Sequence, residues 1–310
     1  MKKLLKTIFL LVILGLILTY YENIFNFVVK DIVYKDELTY DEPNAYKKDY
    51  DFNFVKQTTD FEPENKQDIM NIIYTMLNDG YEDFTFFCPK KYENCLTDVQ
   101  DIINDRVLIS NINNFVSPYN SYNKINVNLN NFGRVNIVVD KLYSNELISK
   151  ISSKIDELYA ELINDSMTDR EKIKTIHDYI INRTSYDEER SEEVKKGDAI
   201  SLKHTSNLAY GPLFTGKAIC GGYSDAMALF LDKMGIKNYK ISSSSHIWNL
   251  VYIDGSWKHL DLTWDDPVLA NGESAITDIF FLISTDELYS KNTSQHIFDE
   301  NVFSEAKKNS

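Results

Sequence analysis

The sequence predicts an α+β protein on three observations. Apolar residues recur at helical spacing over residues 69–77, 147–162 and 223–234, and they alternate over 125–129 and 135–139 around Asn130-Asn131-Phe132-Gly133. Two further β-rich runs, 246–253 and 256–263, flank Asp254-Gly255. A period of 3.6 marks an amphipathic helix and a period of 2 a half-buried strand. Strands joined by short turns, with helices placed between hairpins, indicate α+β layering.

Taken in order, residues 1–21 read as an export or anchor segment. Lys2, Lys3 and Lys6 precede an unbroken apolar run over 8–18, the layout of a secretory signal. A full span wants roughly 20 apolar residues. The run is shorter, but Leu4, Leu5, Tyr20 and Tyr21 extend it toward an interfacial anchor. No small-x-small cleavage site follows Leu18, and the first cysteine is Cys88, so there is no lipid-attachment cysteine. An uncleaved anchor is therefore preferred over a removed signal, and three leading lysines argue against a buried core helix. The expected location is the cell membrane with the rest of the chain outside, or secretion if the segment is cut.

Residues 23–61 are charged, aromatic and weakly periodic, which predicts a stalk or irregular lead-in. A helix carrying Ile69, Ile72, Ile73, Met76 and Leu77 ends at Asp79-Gly80, before a strand at 84–87. With the 125–139 hairpin these make residues 22–165 a small α/β accessory domain, read as a spacer or substrate-positioning module. Leu147, Ile151, Ile155, Leu158 and Leu162 share one face of a long helix, which Asn164-Asp165-Ser166 breaks. Thr168 with Glu171 forms a capping-box signature for a helix carrying Ile173, Ile176 and Ile180. The second domain is thus 166–310. Its segment 186–198, of mixed charge, is expected to be a solvated loop overhanging a cleft.

The formal charge of −14 repels nucleic acid, which is set aside as a partner. Cys88 and Cys95 bracket a short loop and are expected to close as a disulfide in an oxidising compartment. Cys220 is left without a partner, and no paired Cys/His clusters supply a structural zinc site.

Cys220 stands immediately before Tyr223, Ala226, Met227, Phe230, Leu231 and Met234, one apolar stripe of a helix that Gly235 ends. The N–H groups and positive dipole end of a helix start favour a thiolate there. Gly221 and Gly222 are expected to leave room for a substrate backbone. Taken alone, a cysteine before such a helix is also a common packed core residue. The partner comes from the hairpin. A two-residue type I′ turn at Asp254-Gly255 sets Ile253 opposite Ser256, Trp248 opposite Asp261 and His246 opposite Thr263. His246 and Asp261 then become diagonal neighbours, roughly 7–8 Å apart. Asp261 holds one ring nitrogen and leaves the other to take a proton from Cys220. His259 is a rival base on the same strand as Asp261. His177 falls in a helix and His204 and His296 in loops, as structural or solvated residues. Trp248 and Trp257 read as core, and Trp264 as a cleft wall.

The stretches Ile176-His-Asp-Tyr-Ile-Ile-Asn-Arg-Thr-Ser-Tyr-Asp187, Ala209-Tyr-Gly-Pro-Leu, Ala218-Ile-Cys-Gly-Gly-Tyr223, His246-Ile-Trp-Asn and Trp257-Lys-His-Leu-Asp-Leu-Thr-Trp-Asp-Asp-Pro267, in this order, resemble the transglutaminase-like superfamily, a branch of the papain-like fold. Phe280-Phe-Leu-Ile-Ser284 and the later His296 resemble the family's ending. The resemblance implies a nucleophile helix packed on an antiparallel sheet, a Cys220–His246–Asp261 triad, and neither metal nor organic cofactor. Tyr210 is expected to assist the Cys220 N–H in holding an oxyanion, with Gly221, Trp248 and Trp264 facing substrate. Gly221-Gly222-Tyr223-Ser224 departs from the bulkier or acidic and alanine residues common there, which bears on substrate preference. No loop carries regularly spaced calcium ligands. The expected function is cysteine-dependent acyl transfer or amide hydrolysis on a protein or peptide, cell-wall peptide included. The alternatives are a catalytically silent scaffold or an envelope-structural protein, since a fold does not choose its chemistry.

Overall fold

The computed structural model describes residues 2–26, 54–196, 204–266 and 277–307. Most of the expected stalk, Asp198 and Pro267 lie outside them. The chain divides into two compact units, Met1–Glu42 and Pro43–Ser310.

In the first unit the apolar run forms helix α1 (Lys2–Asn26). Its large apolar side chains are exposed, among them Leu5, Phe9, Leu10 and Leu18. Among the described residues, no helix is long and apolar enough to cross a membrane.

The second unit is a mixed helix and sheet structure. Helix α2 (Lys66–Asn78) starts at Asn65, whose side chain accepts from the Asp68 N–H, and buries Ile69, Ile72, Ile73, Met76 and Leu77. Strand β1 (Asp83–Phe87) follows, then α3 (Cys95–Asn104) and α4 (Arg106–Asn113). Cys88 and Cys95 are joined as a disulfide, which ties the end of β1 to the start of α3. Strands β2 (Tyr122–Leu129) and β3 (Arg134–Lys141) are the expected hairpin, and with β1 they make an antiparallel sheet of order β1-β3-β2. Helix α5 (Asn145–Leu162) is capped by Ser144, and α6 (Asp169–Arg183) by the reciprocal Thr168–Glu171 box.

The segment after α6 departs from the expected loop. Ser185–Tyr186 form a short strand, β4, and Glu188–Lys195 a helix, α7. Asp187 caps α7 by accepting the Arg190 N–H, and Arg190, only 3% exposed, turns its guanidinium inward to Asn207 Oδ1 at 3.3 Å. The same guanidinium pairs with Glu193 of its own helix at 2.9 Å, and its reach inward to Asn207 is invisible to a charge count.

Strand β5 (Lys217–Ala218) pairs in parallel with β4 and leads into α8 (Cys220–Lys233). Helix α8 is buried from Gly222 to Leu231 and packs on an antiparallel sheet of β6 (Asn238–Ser242), β7 (Ile247–Ile253) and β8 (Ser256–Leu260), in that order. Asn249 Nδ2 donates to Ser224 O at 3.0 Å, pinning helix to sheet. Asp254 and Gly255 both take positive φ, 53° and 78°, as a type I′ turn requires. Short helices α9 (Leu262–Asp265), α10 (Thr285–Ser290) and α11 (Ser304–Lys307) complete the chain. Residues on both sides of position 166 share the sheet's surroundings: Asn114 O accepts from Lys240 N at 3.0 Å, and Phe115 packs on Tyr239 and Phe303.

Candidate active site

Cys220 is the first residue of α8, partly exposed and unbonded to another cysteine. The N-cap is Ile219, which offers no side-chain hydrogen bond. No side chain therefore caps the first turn's N–H groups, the part of a helix that favours negative charge. The two following glycines do something other than expected. A Cβ on Gly222 would lie 2.5 Å from Ser206 O and 3.0 Å from Leu208 O, and one on Gly221 would lie 3.2 Å from Asn207 O. Their bare faces receive the protein's own 205–208 backbone rather than a substrate. Opposite, the β4–β5 pairing sets Tyr186 beside Ala218, with Asp187 N donating to Ala218 O at 2.9 Å.

The hairpin delivers His246 and Asp261 by a different geometry from a continued ladder. Ile253 faces Ser256 as expected, but pairing runs only to Asn249–Leu260. Asp261 leaves the strand to cap α9, accepting the Thr263 and Trp264 N–H groups on Oδ1 at 2.9 and 3.2 Å. Its other oxygen, Oδ2, lies 2.6 Å from His246 Nε2. Turning out of the sheet lets two side chains on diverging strand ends touch directly.

Both groups are buried and their protonation is strongly biased. Burial alone would lower the His246 pKa, but the Asp261 charge and hydrogen bond, with Cys220 hydrogen-bonding the same ring, push it up to about 10. Burial would raise Asp261, but His246, then His296, hold its carboxyl well below the usual range. These are the effects of an opposite charge at hydrogen-bond distance in a dry site.

His296, read from the sequence as a structural or solvated loop residue, is structural and sits in the buried end of the turn Ser294–His296. It is 2% exposed, and its Nε2 lies 2.8 Å from Asp261 Oδ2, the same oxygen that His246 uses. The Thr293 hydroxyl meets its Nδ1. No periodicity ties a loop histidine to an aspartate in a distant strand, so only the family-like ending pointed to it. The three side chains bring their ligand atoms within 4.8 Å of one another. However, both nitrogens sit at hydrogen-bond distance from one oxygen, 2.6 and 2.8 Å, closer than about 3.3 Å, the spacing of two ligands on a tetrahedral ion with bonds of about 2.0–2.1 Å, so hydrogen bonds account for the cluster.

The other candidates fall elsewhere. His259 accepts from Trp248 Nε1 on Nδ1 at 3.0 Å, and its Nε2 lies 3.1 Å from Thr285 Oγ1. Burial lowers it to about 3, so it is a neutral core link and no rival base. Trp248 is 1% exposed and stacks on His246 at 5.6 Å; it is a floor for that ring rather than a substrate platform. Tyr210 takes its hydrogen bond from Lys150 Nζ at 2.8 Å and stacks on Phe214, which turns the hydroxyl toward α5 and away from an oxyanion role. His177 is buried between Asp178 and Asp265, 2.9 and 3.1 Å away, and His204 caps the 3₁₀ turn Thr205–Asn207. Trp264 does line a cleft of about 300 Å³ with Tyr186, Ser245, His246, Asp266 and Gln295, walled by Glu188, Ser191 and Lys195 of α7.

Residues 156–262 match the model of the transglutaminase-like superfamily. That span contains Cys220, His246 and Asp261 and stops short of His296. The chain is similar to kyphoscoliosis peptidase of Homo sapiens, 25% identical over 155 residues, covering 45% of this chain and 22% of that protein. The Mus musculus protein of the same name is 25% identical over 146 residues, covering 42% and 21%. The chain thus spans about a fifth of the length of these curated relatives. A solved TGase structure aligns at 19% identity and a TM-score of 0.35, over 45% of this chain and 44% of that one.

Proposed function

With residues 156–262 carrying a transglutaminase-like domain, we propose that Cys220, His246 and Asp261 are a catalytic triad for cysteine-dependent acyl transfer or amide hydrolysis on protein or peptide substrates. The observation that carries this is the buried His246–Asp261 pair, with Nε2 and Oδ2 2.6 Å apart, whose ring Cys220 helps to make more basic.

The Cys220 sulfur attacks the amide carbonyl carbon, and the carbonyl π pair moves to oxygen as an oxyanion facing the uncapped N–H groups of α8. As the tetrahedral adduct collapses, the C–N bond breaks and His246 passes its proton to the departing amine. A thioester remains on Cys220. Water or a second amine then attacks that carbonyl and gives a proton to the now neutral His246; as this adduct collapses the C–S bond breaks, the electron pair returns to Cys220 as thiolate, and a new amide or a carboxylic acid that ionises to carboxylate is released. Asp261 keeps the ring oriented and balances its charge throughout.

Helix α1 exposes apolar side chains all round, and such a surface seeks an apolar medium. Its lysine-rich start and the Cys88–Cys95 disulfide suit an anchor with the second unit in an oxidising, extracytoplasmic space, where cell-wall peptide is a candidate substrate.

The test is brief exposure to iodoacetamide at neutral pH, with the modified residue located by mass spectrometry. Fast labelling of Cys220 that His246→Ala loses is expected. Slow labelling, insensitive to that substitution, would replace catalysis by a silent scaffold.

A further inference from the structure

We infer that His296 is a positioning residue for the triad: by donating to the Oδ2 oxygen that holds His246, it fixes the Asp261 carboxylate and limits how much of its charge His246 receives. This rests on the triad reading above and concerns a side chain outside the matched family span.

A carboxylate has about four lone-pair sites, and Asp261 fills four contacts. The Thr263 and Trp264 N–H groups occupy Oδ1, and the two imidazole Nε2 atoms share Oδ2 at 2.6 and 2.8 Å. With donors on both oxygens the group has no rotation that keeps its bonds. With His296 removed, Oδ2 serves one imidazole, and more of its negative charge falls to the His246 proton.

Packing explains where the His296 ring lies but not why it is an imidazole. It stacks on Phe280 at 5.0 Å and meets Trp248 and Trp264 edge-on at 4.9 and 5.1 Å. A phenyl ring would fill such an aromatic box equally well. Both nitrogens are nonetheless committed, Nδ1 to the Thr293 hydroxyl and Nε2 to Asp261. A carboxylate oxygen only accepts, so the Nε2 that meets Asp261 carries the N–H, which a phenyl ring has no atom to supply. The other titratable groups facing this cluster are Cys220 from α8, Tyr186 from β4 and His259 from β8.

The test follows carboxymethylation of Cys220 in the full chain by iodoacetate, an anionic reagent that a protonated His246 attracts. The rate is expected to fall as that proton leaves, near pH 10. In His296→Phe, which keeps the ring stack and loses the donor, this alkaline limb moves to higher pH by about one unit. In His296→Gln, whose side-chain amide keeps an N–H, it returns to its original position. Thr293→Val, outside the stack, moves it in the same direction as His296→Phe and covers the case in which that variant does not fold. A limb unmoved in His296→Phe despite a lower melting temperature, or moved equally in the Phe and Gln variants, overturns the inference and leaves His296 a packing residue. A limb that survives His246→Ala in otherwise unsubstituted protein sinks the triad reading instead, and this inference with it.

Discussion

Tyr143 and Asp225 meet in the core, the phenol donating to Asp225 Oδ2 at 2.7 Å. Tyr143 belongs to the first half of the second unit and Asp225 to α8, so the helix that carries Cys220 is fastened from outside the matched family span as well as within it. The Ala209 N–H donates to the same phenol oxygen at 2.8 Å, and Lys240 Nζ sits 2.8 Å from Asp225 Oδ1. Lys240 and Asp225 side chains are only 5% and 6% exposed.

Lys240→Met should therefore strand a buried carboxylate. Breaking a buried ion pair from one side costs about 3–5 kcal/mol, and urea unfolding measures it. A loss below about 1 kcal/mol would show that Tyr143 alone satisfies Asp225.

Asp261→Asn should remove the charge that raises His246. The alkaline limb of Cys220 carboxymethylation is then expected to slide from about 10 toward the ordinary histidine value of 6.5. A limb that stays near 10 would assign the raised basicity to Cys220 rather than to Asp261.

Gly222→Ala should be worse than Gly221→Ala. The first presses a methyl to 2.5 Å from a backbone oxygen, the second only to 3.2 Å. Overpacking of the first kind costs about 1–3 kcal/mol and shifts the first turn of α8, so both the melting temperature and Cys220 labelling should fall in that order. Equal effects would mean that the 205–208 turn yields freely.

Stability should depend on pH at both ends of the range. His246 has a folded pKa raised from 6.5 to about 10. Its contribution is complete below pH 6.5 and is lost as pH rises through about 10. Asp261 is depressed in the fold, so its contribution is complete above the ordinary carboxylate range and is lost on acidification. Thermal unfolding across pH tests this, and His246→Ala should flatten the alkaline decline.

Much of this was legible because local rules governed it. The Thr168–Glu171 box, the Asp254-Gly255 turn, the 125–139 hairpin and the stripe of α8 each follow from residues within one turn or one hairpin of each other. His246 and Asp261 were legible as partners but not as a geometry, because register arithmetic assumes that a strand continues. Asp261 stops β8 instead by capping α9. The long-range contacts of Arg190 and His296 were not legible for a common reason. Each is a polar side chain in a weakly patterned segment with one partner, Asn207 or Asp261, supplied by tertiary structure, although Arg190 also pairs with Glu193 of its own helix. The glycines beside Cys220 were seen as space, but the chain's own turn fills it.

The Trp264 backbone N–H holds Asp261 while its indole forms part of the cleft wall and donates to Gln295 at 3.2 Å. Wall and acid are thus mechanically one piece. A guest that pushes the indole aside also pulls on the carboxylate, so fit in the cleft is transmitted to the base as a change in its readiness to carry a proton, with no hinge or moving domain in between.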